Sequence, residues 1–343
     1  MNCWQVAAGE GARDYSATFL KYGVMLIGAG NPGPYFEKKA YYSGHHDWRA
    51  QVVRFAERVA TGDTVILKWP HHREWQIRAV GEVTGKYEYL EQFEDVKGWD
   101  QQHCRTVKWV CPPIIQNDPL KREVILTKGL SMGTFKRVYN KEAIEKSESL
   151  RGTGERQEAI EIPPPARTIS DEDLVESLID NGLRPSDSEG VIAAIWRVRR
   201  LARWYERHGR DLSEHETRTF LIMPIMLALG WSEQRIKIEW KNIDVAFFQE
   251  VYRRGNEPCM ILESKRMREG LGYAEHQAER YAKLYPKCSR LVVSDGIRYQ
   301  FSEKDDTRWI PKAYMNLLKL KDRHPYEEDI EGAAHLFINL MPK

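Results

Sequence analysis

The apolar and polar positions divide the chain into two differently patterned parts. Up to about residue 148, short apolar runs of strand length alternate with breaks containing Gly or Pro: residues 3–6, 24–27, 64–69, 76–80 and 105–109. One helical pattern interrupts them, from about Trp48 to Val59, with Val52, Phe55, Ala56 and Val59 facing inward. Beyond residue 170 the helical period dominates. Ser170 caps a helix from about Asp171 to Asn181, and a longer one runs from about Ser188 to His208 with Val191, Ile195, Val198, Leu201, Ala202 and Tyr205 on one side. Ser213 and Glu216 have the spacing of a capping box before an apolar helix that stops at Gly230. Two apolar runs at 243–248 and 260–265 read as buried strands. They are followed by a helix from Gly270 ended by Pro286, a strand over 290–296, a short strand near 299–301 and a last helix around 329–340. The order helix, strand, strand, helix, strand predicts an α/β core with a mixed sheet behind a helical preface. The whole chain is expected to be α+β and α/β, with domains at 1–148 and 170–343. The segment 149–169 lacks a buried pattern and ends in Pro163-Pro164-Pro165, the mark of a semi-rigid linker.

Composition narrows the functions without choosing one. A chain of 343 residues has room for two cores, and a formal charge of +2 with 30% charged residues is not that of a polycation. A nucleic-acid surface must therefore come from local clustering. Arg197, Arg200, Arg203 and Arg207 lie opposite the apolar side of the long helix, either as a solvated face or as a stripe that follows phosphates. The longest apolar run, 220–231, is too short to span a bilayer, and no signal-peptide pattern opens the chain. Five cysteines without CxxC spacing disfavour a disulfide framework and a structural zinc, and suit a reducing cytoplasm. Near Cys104 and Cys111, His103 reads as a surface histidine.

The chemistry concentrates in the two buried strands. Asp244 sits in the first, and Glu263 and Lys265 close the second. Charges in such strands are unfavourable unless paired or bound to a metal. Two carboxylates and an ammonium at strand ends suit metal-dependent phosphodiester hydrolysis: the carboxylates hold a hard cation, and the lysine orients the nucleophile or neutralises developing charge. The plain alternative is a capping aspartate beside an exposed Glu263/Lys265 pair. Gln277 falls on the stripe of Ala274, Ala278, Tyr281 and Tyr285, where it either makes a core hydrogen bond or works in the site.

This D…ExK arrangement resembles the PD-(D/E)XK nuclease superfamily. With the helix ending in Leu229-Gly230-Trp231, the Gln277…Tyr281 pair and the strand closing on Asp295-Gly296, residues 210–305 resemble the nuclease domain of type I restriction subunits and related modification-dependent enzymes. The resemblance implies that Asp244, Glu263 and Lys265 are catalytic and that Gln277 supports the site. It implies a metal held by Asp244 and Glu263, with Glu216 as a further contact, unless Glu216 serves only its capping box.

The first part contains a decoy. Gly28-Ala29-Gly30-Asn31-Pro32-Gly33 matches G-x-G-x-x-G, but Pro32 and Pro34 flank Gly33 and no helical period follows, so it reads as a loop and not a dinucleotide site. No P-loop pattern occurs anywhere. The succession of strands, with Gly62-Asp63 before one and Gly81-Glu82-Val83-Thr84-Gly85 in another, resembles the PUA-like β-barrel group that includes EVE, YTH and SRA readers. Trp4 and Trp109 read as core. Tyr41, Asp47, Trp48, Trp69 and Trp75 fall where loops are expected, and aromatics beside polar groups suit a pocket that stacks a flipped base, although each also suits packing. In the reader resemblance Trp48 is the cage position.

Together the resemblances imply a type IV, modification-dependent restriction endonuclease. It would use Mg²⁺, or Mn²⁺ in its place, and no NTP. Its partner would be double-stranded DNA bearing a modified base, expected to be a cytosine, with Arg197, Arg200 and Arg203 on the backbone. It would act as a homodimer in the cytoplasm, away from membranes. The alternatives are a nucleic-acid reader with a silent nuclease-like domain, or an RNA-directed nuclease.

Overall fold

A computed structural model describes residues 1–10, 13–44, 47–115, 118–269, 271, 280–281, 284–306 and 308–343; of residues 10, 13, 47 and 118–120 it gives the backbone course alone. The chain is mixed α and β, and one of its sheets curls into a half-barrel. It divides into two compact units, Met1–Pro164 and Pro165–Lys343.

In the first unit the strand Cys3–Ala7 lies parallel to Thr64–His71, which pairs antiparallel with Glu74–Val83. Glu74–Val83 pairs with His103–Cys111, and that strand with Val24–Ile27. The helix Asp47–Glu57 buries Val52, Phe55 and Ala56, the positions its apolar spacing selects. Trp4 and Trp109 are buried and their indole N–H groups donate to Asp63 Oδ2 (2.8 Å) and the Val24 carbonyl (3.1 Å).

The glycine-rich segment is a loop, and its glycines have a local cause. A Cβ on Gly30 would come within 2.0 Å of Gln102 Oε1, and one on Gly28 within 3.0 Å of the Asp100 carbonyl. The hydroxyls of Tyr42 and Tyr89 donate to the carbonyls of Gly33 and Gly30, both at 2.9 Å. His103, expected on the surface, is fully buried: its ring lies 2.8 Å from the Tyr87 hydroxyl and 3.1 Å from the Ala29 carbonyl. Burial pushes its imidazole down to about 4, so it stays neutral at physiological pH.

The expected linker is shorter than its composition suggests. The helix Lys141–Thr153, capped by Asn140, runs past residue 148, and Glu155–Arg156 pairs with His103–Cys111. Leu150 is buried and Arg151 reaches Glu82 at 2.8 Å, so these residues belong to the first unit.

The second unit carries the mixed sheet expected of it. Its strands run in the order Ile236–Trp240, Ile243–Phe247, Met260–Ser264, Arg290–Ser294, Arg298–Asp305, Arg308–Asn316. Met260–Ser264 and Arg290–Ser294 are parallel, and the other neighbours antiparallel. The helices Asp171–Asp180 and Pro185–His208 lie before the sheet in sequence; the longer begins three residues earlier than its apolar period, with Pro185 in the first turn. Met260 and Leu262 join one buried cluster with Val198, Leu221 and Met226, whereas Ile261 joins another with Tyr281 and Tyr285. Cover on both sides explains why this strand is a continuous apolar run. Among the described residues, no helix is long and apolar enough to cross a membrane.

Candidate active site

Asp244 and Glu263 stand on adjacent antiparallel strands, one rung beyond the Val245–Leu262 pair. A two-residue turn joins Ile236–Trp240 to the Asp244 strand, with Lys241 and Asn242 both left-handed (φ 49° and 69°). Lys265 follows the strand, its N–H donating to the Ser294 carbonyl at 2.8 Å. The helix Glu214–Thr217 brings a third carboxylate, Glu214. Oxygens of Glu214, Asp244 and Glu263 lie within 4.8 Å of one another, and these three could hold a metal ion. The Lys265 ammonium is 3.3 Å from Glu263 Oε1 and 3.6 Å from Glu214 Oε1.

Each carboxylate is held differently. Asp244 Oδ2 accepts from the backbone N–H (2.7 Å) and hydroxyl (2.8 Å) of Ser264, and Oδ1 from Arg218 at 2.9 Å. Arg218 is itself only 4% exposed, and its guanidinium also donates to Glu239 Oε1 (2.8 Å) and His215 Nδ1 (2.9 Å). Glu263 is 4% exposed, with the Tyr281 hydroxyl 3.3 Å from Oε2. Burial, then the Asp244 charge, pushes its carboxyl up to about 7, against the opposing pull of Lys265. Burial also raises Glu214, which Lys265 partly offsets. Taking ions out of water costs several kcal/mol each even after relaxation. Buried charges of both signs thus balance one another here.

Glu216 does not join the cluster. Its carboxylate turns back to Ser213, accepting from the backbone N–H and the hydroxyl at 2.9 Å each, with Arg210 at 3.4 Å. Two positions along a helix are about 200° apart, so the residue that closes the capping box cannot share a face with Glu214. Gln277 lies outside the described residues.

In the first unit a cavity of about 390 Å³ is lined by Trp48, Trp99, Gln51, Gln101 and Thr134, with the backbone of Gly28–Ala29 on its wall. Of the five residues expected in a base pocket, Trp48 lines it. Tyr41 lies 6.2 Å from Trp48, with the Arg49 guanidinium 4.3 Å from the Tyr41 ring and 5.0 Å from that of Trp48. Trp69 and Trp75 are on the hairpin of Thr64–His71 and Glu74–Val83, where Arg78 and Lys68 lie over their rings at 5.6 and 3.7 Å. Asp47 opens its helix, and its side chain is outside what is described. Gln101 donates to the Tyr15 hydroxyl at 2.7 Å, and its buried Oε1 has no partner among the described residues.

Residues 4–139 match the model of a family described as a domain of unknown function, DUF8426. That match takes in the loop and the cavity of the first unit and most of its strands, leaves out the helix Lys141–Thr153 and the strand Glu155–Arg156, and stops short of the second unit. No curated protein matches the chain.

Sequence reasoning missed Glu214, Arg218 and Trp99. Glu214 sits in the first turn beside the residue chosen in its place, and the capping box was itself the sign that Glu216 was occupied. Arg218, just ahead of the apolar run that begins at Phe220, offered only the oddity of a charge in helical register with the buried Ile222 and Ile225. Nothing in the sequence singled out Trp99.

Proposed function

We propose that the protein is an endodeoxyribonuclease that depends on a divalent cation and on no NTP, directed by its first unit to DNA carrying a modified base, a modified cytosine before others. The observation that carries this reading is the convergence of the Glu214, Asp244 and Glu263 carboxylates within 4.8 Å, with the Lys265 ammonium beside two of them. Three oxygen donors suit a hard cation such as Mg²⁺ or Mn²⁺ better than a soft one. When bound, the cation supplies an activated water and offsets charge on the phosphate. Ser264 and Arg218 keep the Asp244 carboxylate oriented. Lys265 holds a positive charge where the phosphate gains negative charge. Glu263, lifted to about 7, can exchange a proton near neutrality.

The PUA-like reading of the first unit is supported by its cavity, which combines two indoles with a buried amide oxygen that lacks a partner among the described residues. A flipped base offers both a face to stack and N–H groups to donate. Cutting both strands takes two sites, which favours a homodimer, and the free cysteines suit the cytoplasm.

A second reading is a nucleic-acid reader whose second unit is silent. It is favoured by the engagement of both Asp244 oxygens, which lets the cluster balance itself without a cation. One experiment separates the readings: the pure protein with Mg²⁺ and no NTP, given plain duplex, cytosine-modified duplex and RNA. Cleavage of the modified duplex alone is expected. Binding without cleavage of any substrate favours the silent reader, and cleavage of RNA alone makes it an RNA-directed nuclease.

A further inference from the structure

The helix Pro185–His208 buries Val191, Ile195, Val198, Ala202 and Tyr205. A second stripe runs along its other side. Trp196, Arg200, Arg203 and Arg207 recur at intervals of four, three and four residues, one face of a helix. All are exposed, Trp196 by 51%, and Arg197 and Trp204 (39% exposed) flank them. Among the described residues none of these four arginines pairs with a carboxylate, although carboxylates are near: Asp171 takes Arg199 at 2.8 Å, and Glu206 takes Arg268 at 3.1 Å. Arginine in a last helical turn complements the helix dipole. That accounts for Arg207 but not for Arg197, Arg200 or Arg203.

The indoles are fixed and still open to solvent. Trp196 Nε1 donates to Asp171 Oδ2 at 2.8 Å, and Trp204 stacks on His208 at 4.5 Å. Two large apolar rings held at the surface among cations that have no carboxylate partner among the described residues form a stacking platform beside phosphate ligands. From Trp196 to Arg207 the stripe spans about 16 Å, long enough to follow several phosphates.

We propose that this face binds a nucleic-acid strand with unpaired bases, the arginines taking phosphates and the indoles stacking bases. Cations alone would serve a duplex, whose bases are already stacked on one another; the exposed indoles favour the open strand. The inference rests on the reading of the protein as one that handles nucleic acid, and it is independent of cleavage.

The test uses the full chain in EDTA, with binding of an oligothymidylate and of a duplex of equal length read by fluorescence anisotropy and tryptophan quenching. Trp196→Ala and Trp204→Ala are each expected to weaken oligothymidylate binding about tenfold or more while leaving duplex binding unchanged. The double variant Arg200→Ala/Arg203→Ala is expected to weaken both and to reduce the salt dependence. Melting curves confirm that each variant is folded, and Trp204→Ala keeps the test valid if Trp196→Ala disturbs Asp171. Unchanged single-strand affinity in both tryptophan variants overturns the inference, as does an equal loss for single strand and duplex. A dimer that dissociates in the variants without loss of affinity overturns it too, assigning the face to a second copy. Cleavage of modified duplex by a protein that does not bind oligothymidylate removes this inference and leaves the proposed function intact.

Discussion

Arg218 donates to Asp244 Oδ1 at 2.9 Å from a side chain almost wholly withdrawn from water. The buried guanidinium fixes that carboxylate's direction, because its planar fork is itself anchored, with Nη1 on Asp244 and Nη2 on Glu239 and His215. Removing it strands Asp244 beside two other acids. Arg218→Ala is therefore expected to lower unfolding free energy by about 3 kcal/mol, and Arg218→Lys by less, since charge survives but the fork does not. Urea titration of the metal-free protein measures both. Equal stability of Arg218→Ala and wild type would show that Ser264 alone holds Asp244.

Glu214 and Glu216 give opposite outcomes from one helical turn. Glu214→Ala is expected to reduce Mg²⁺-dependent cleavage by orders of magnitude with little loss of stability; Asp244→Ala, Glu263→Ala and Lys265→Ala are expected to reduce cleavage as far, and Asp244→Ala also loses stability because it leaves Arg218 without that partner. Glu216→Ala is expected to retain cleavage and to melt slightly lower through loss of the capping box. Cleavage rates and melting temperatures of the matched pair decide it; a cleaving Glu263→Ala protein removes the site from consideration.

Glu263 predicts a pH dependence of definite sign. Its ordinary value is 4.5 and its folded value about 7, so the folded state holds the proton more tightly than the unfolded one. The stability this contributes is complete below about 4.5 and is lost as pH rises through 7, on the order of 3 kcal/mol at most. In EDTA the melting temperature of wild type should fall across that window more than that of Glu263→Gln. Parallel profiles would mean that Lys265 already compensates the charge. Mg²⁺ binding, measured by calorimetry, should release a proton and tighten from pH 6 to 8.

In the first unit the cavity distinguishes tryptophans that the sequence could not. Trp48→Ala and Trp99→Ala should each erase a preference for modified over plain duplex, by roughly 1–3 kcal/mol. Trp69→Ala should leave it unchanged. A preference that survives in both cavity variants would place the reader elsewhere.

The boundary near Pro164 can be tested by truncation. A fragment of residues 1–164 is expected to melt cooperatively and above one of 1–148, which cuts the helix Lys141–Thr153 before Leu150 and Arg151. Identical melts would make that last turn dispensable.

Local signals carried most of the element order. Apolar period and caps were enough for Asp171–Asp180, the Ser213 box and the strands holding Asp244 and Glu263, because each is decided by neighbours within a few residues. What escaped was set by distant partners. Glu214 reaches the site because the helical segment that carries it also carries Arg218, whose guanidinium holds Asp244, and this sets it beside residues 244 and 263. His103 is buried because Tyr42, Tyr87 and the Ala29 carbonyl surround it, a fact of topology and not of its own surroundings in sequence. The residues after 148 look polar and loop-like, yet long-range pairing with His103–Cys111 and Glu82 recruits them.

The backbones that carry Asp244 and Glu263 are spaced by the hydrogen-bond ladder between neighbouring strands, a distance of about 4.8 Å set by the peptide group itself. Such a ruler does not stretch. Surface loops and the companion unit can be exchanged over evolutionary time without recalibrating it, since nothing in them sets that interval. On the proposed reading, such exchanges would alter which molecule arrives at the strand ends and from which direction, while the interval between the two backbones stays fixed.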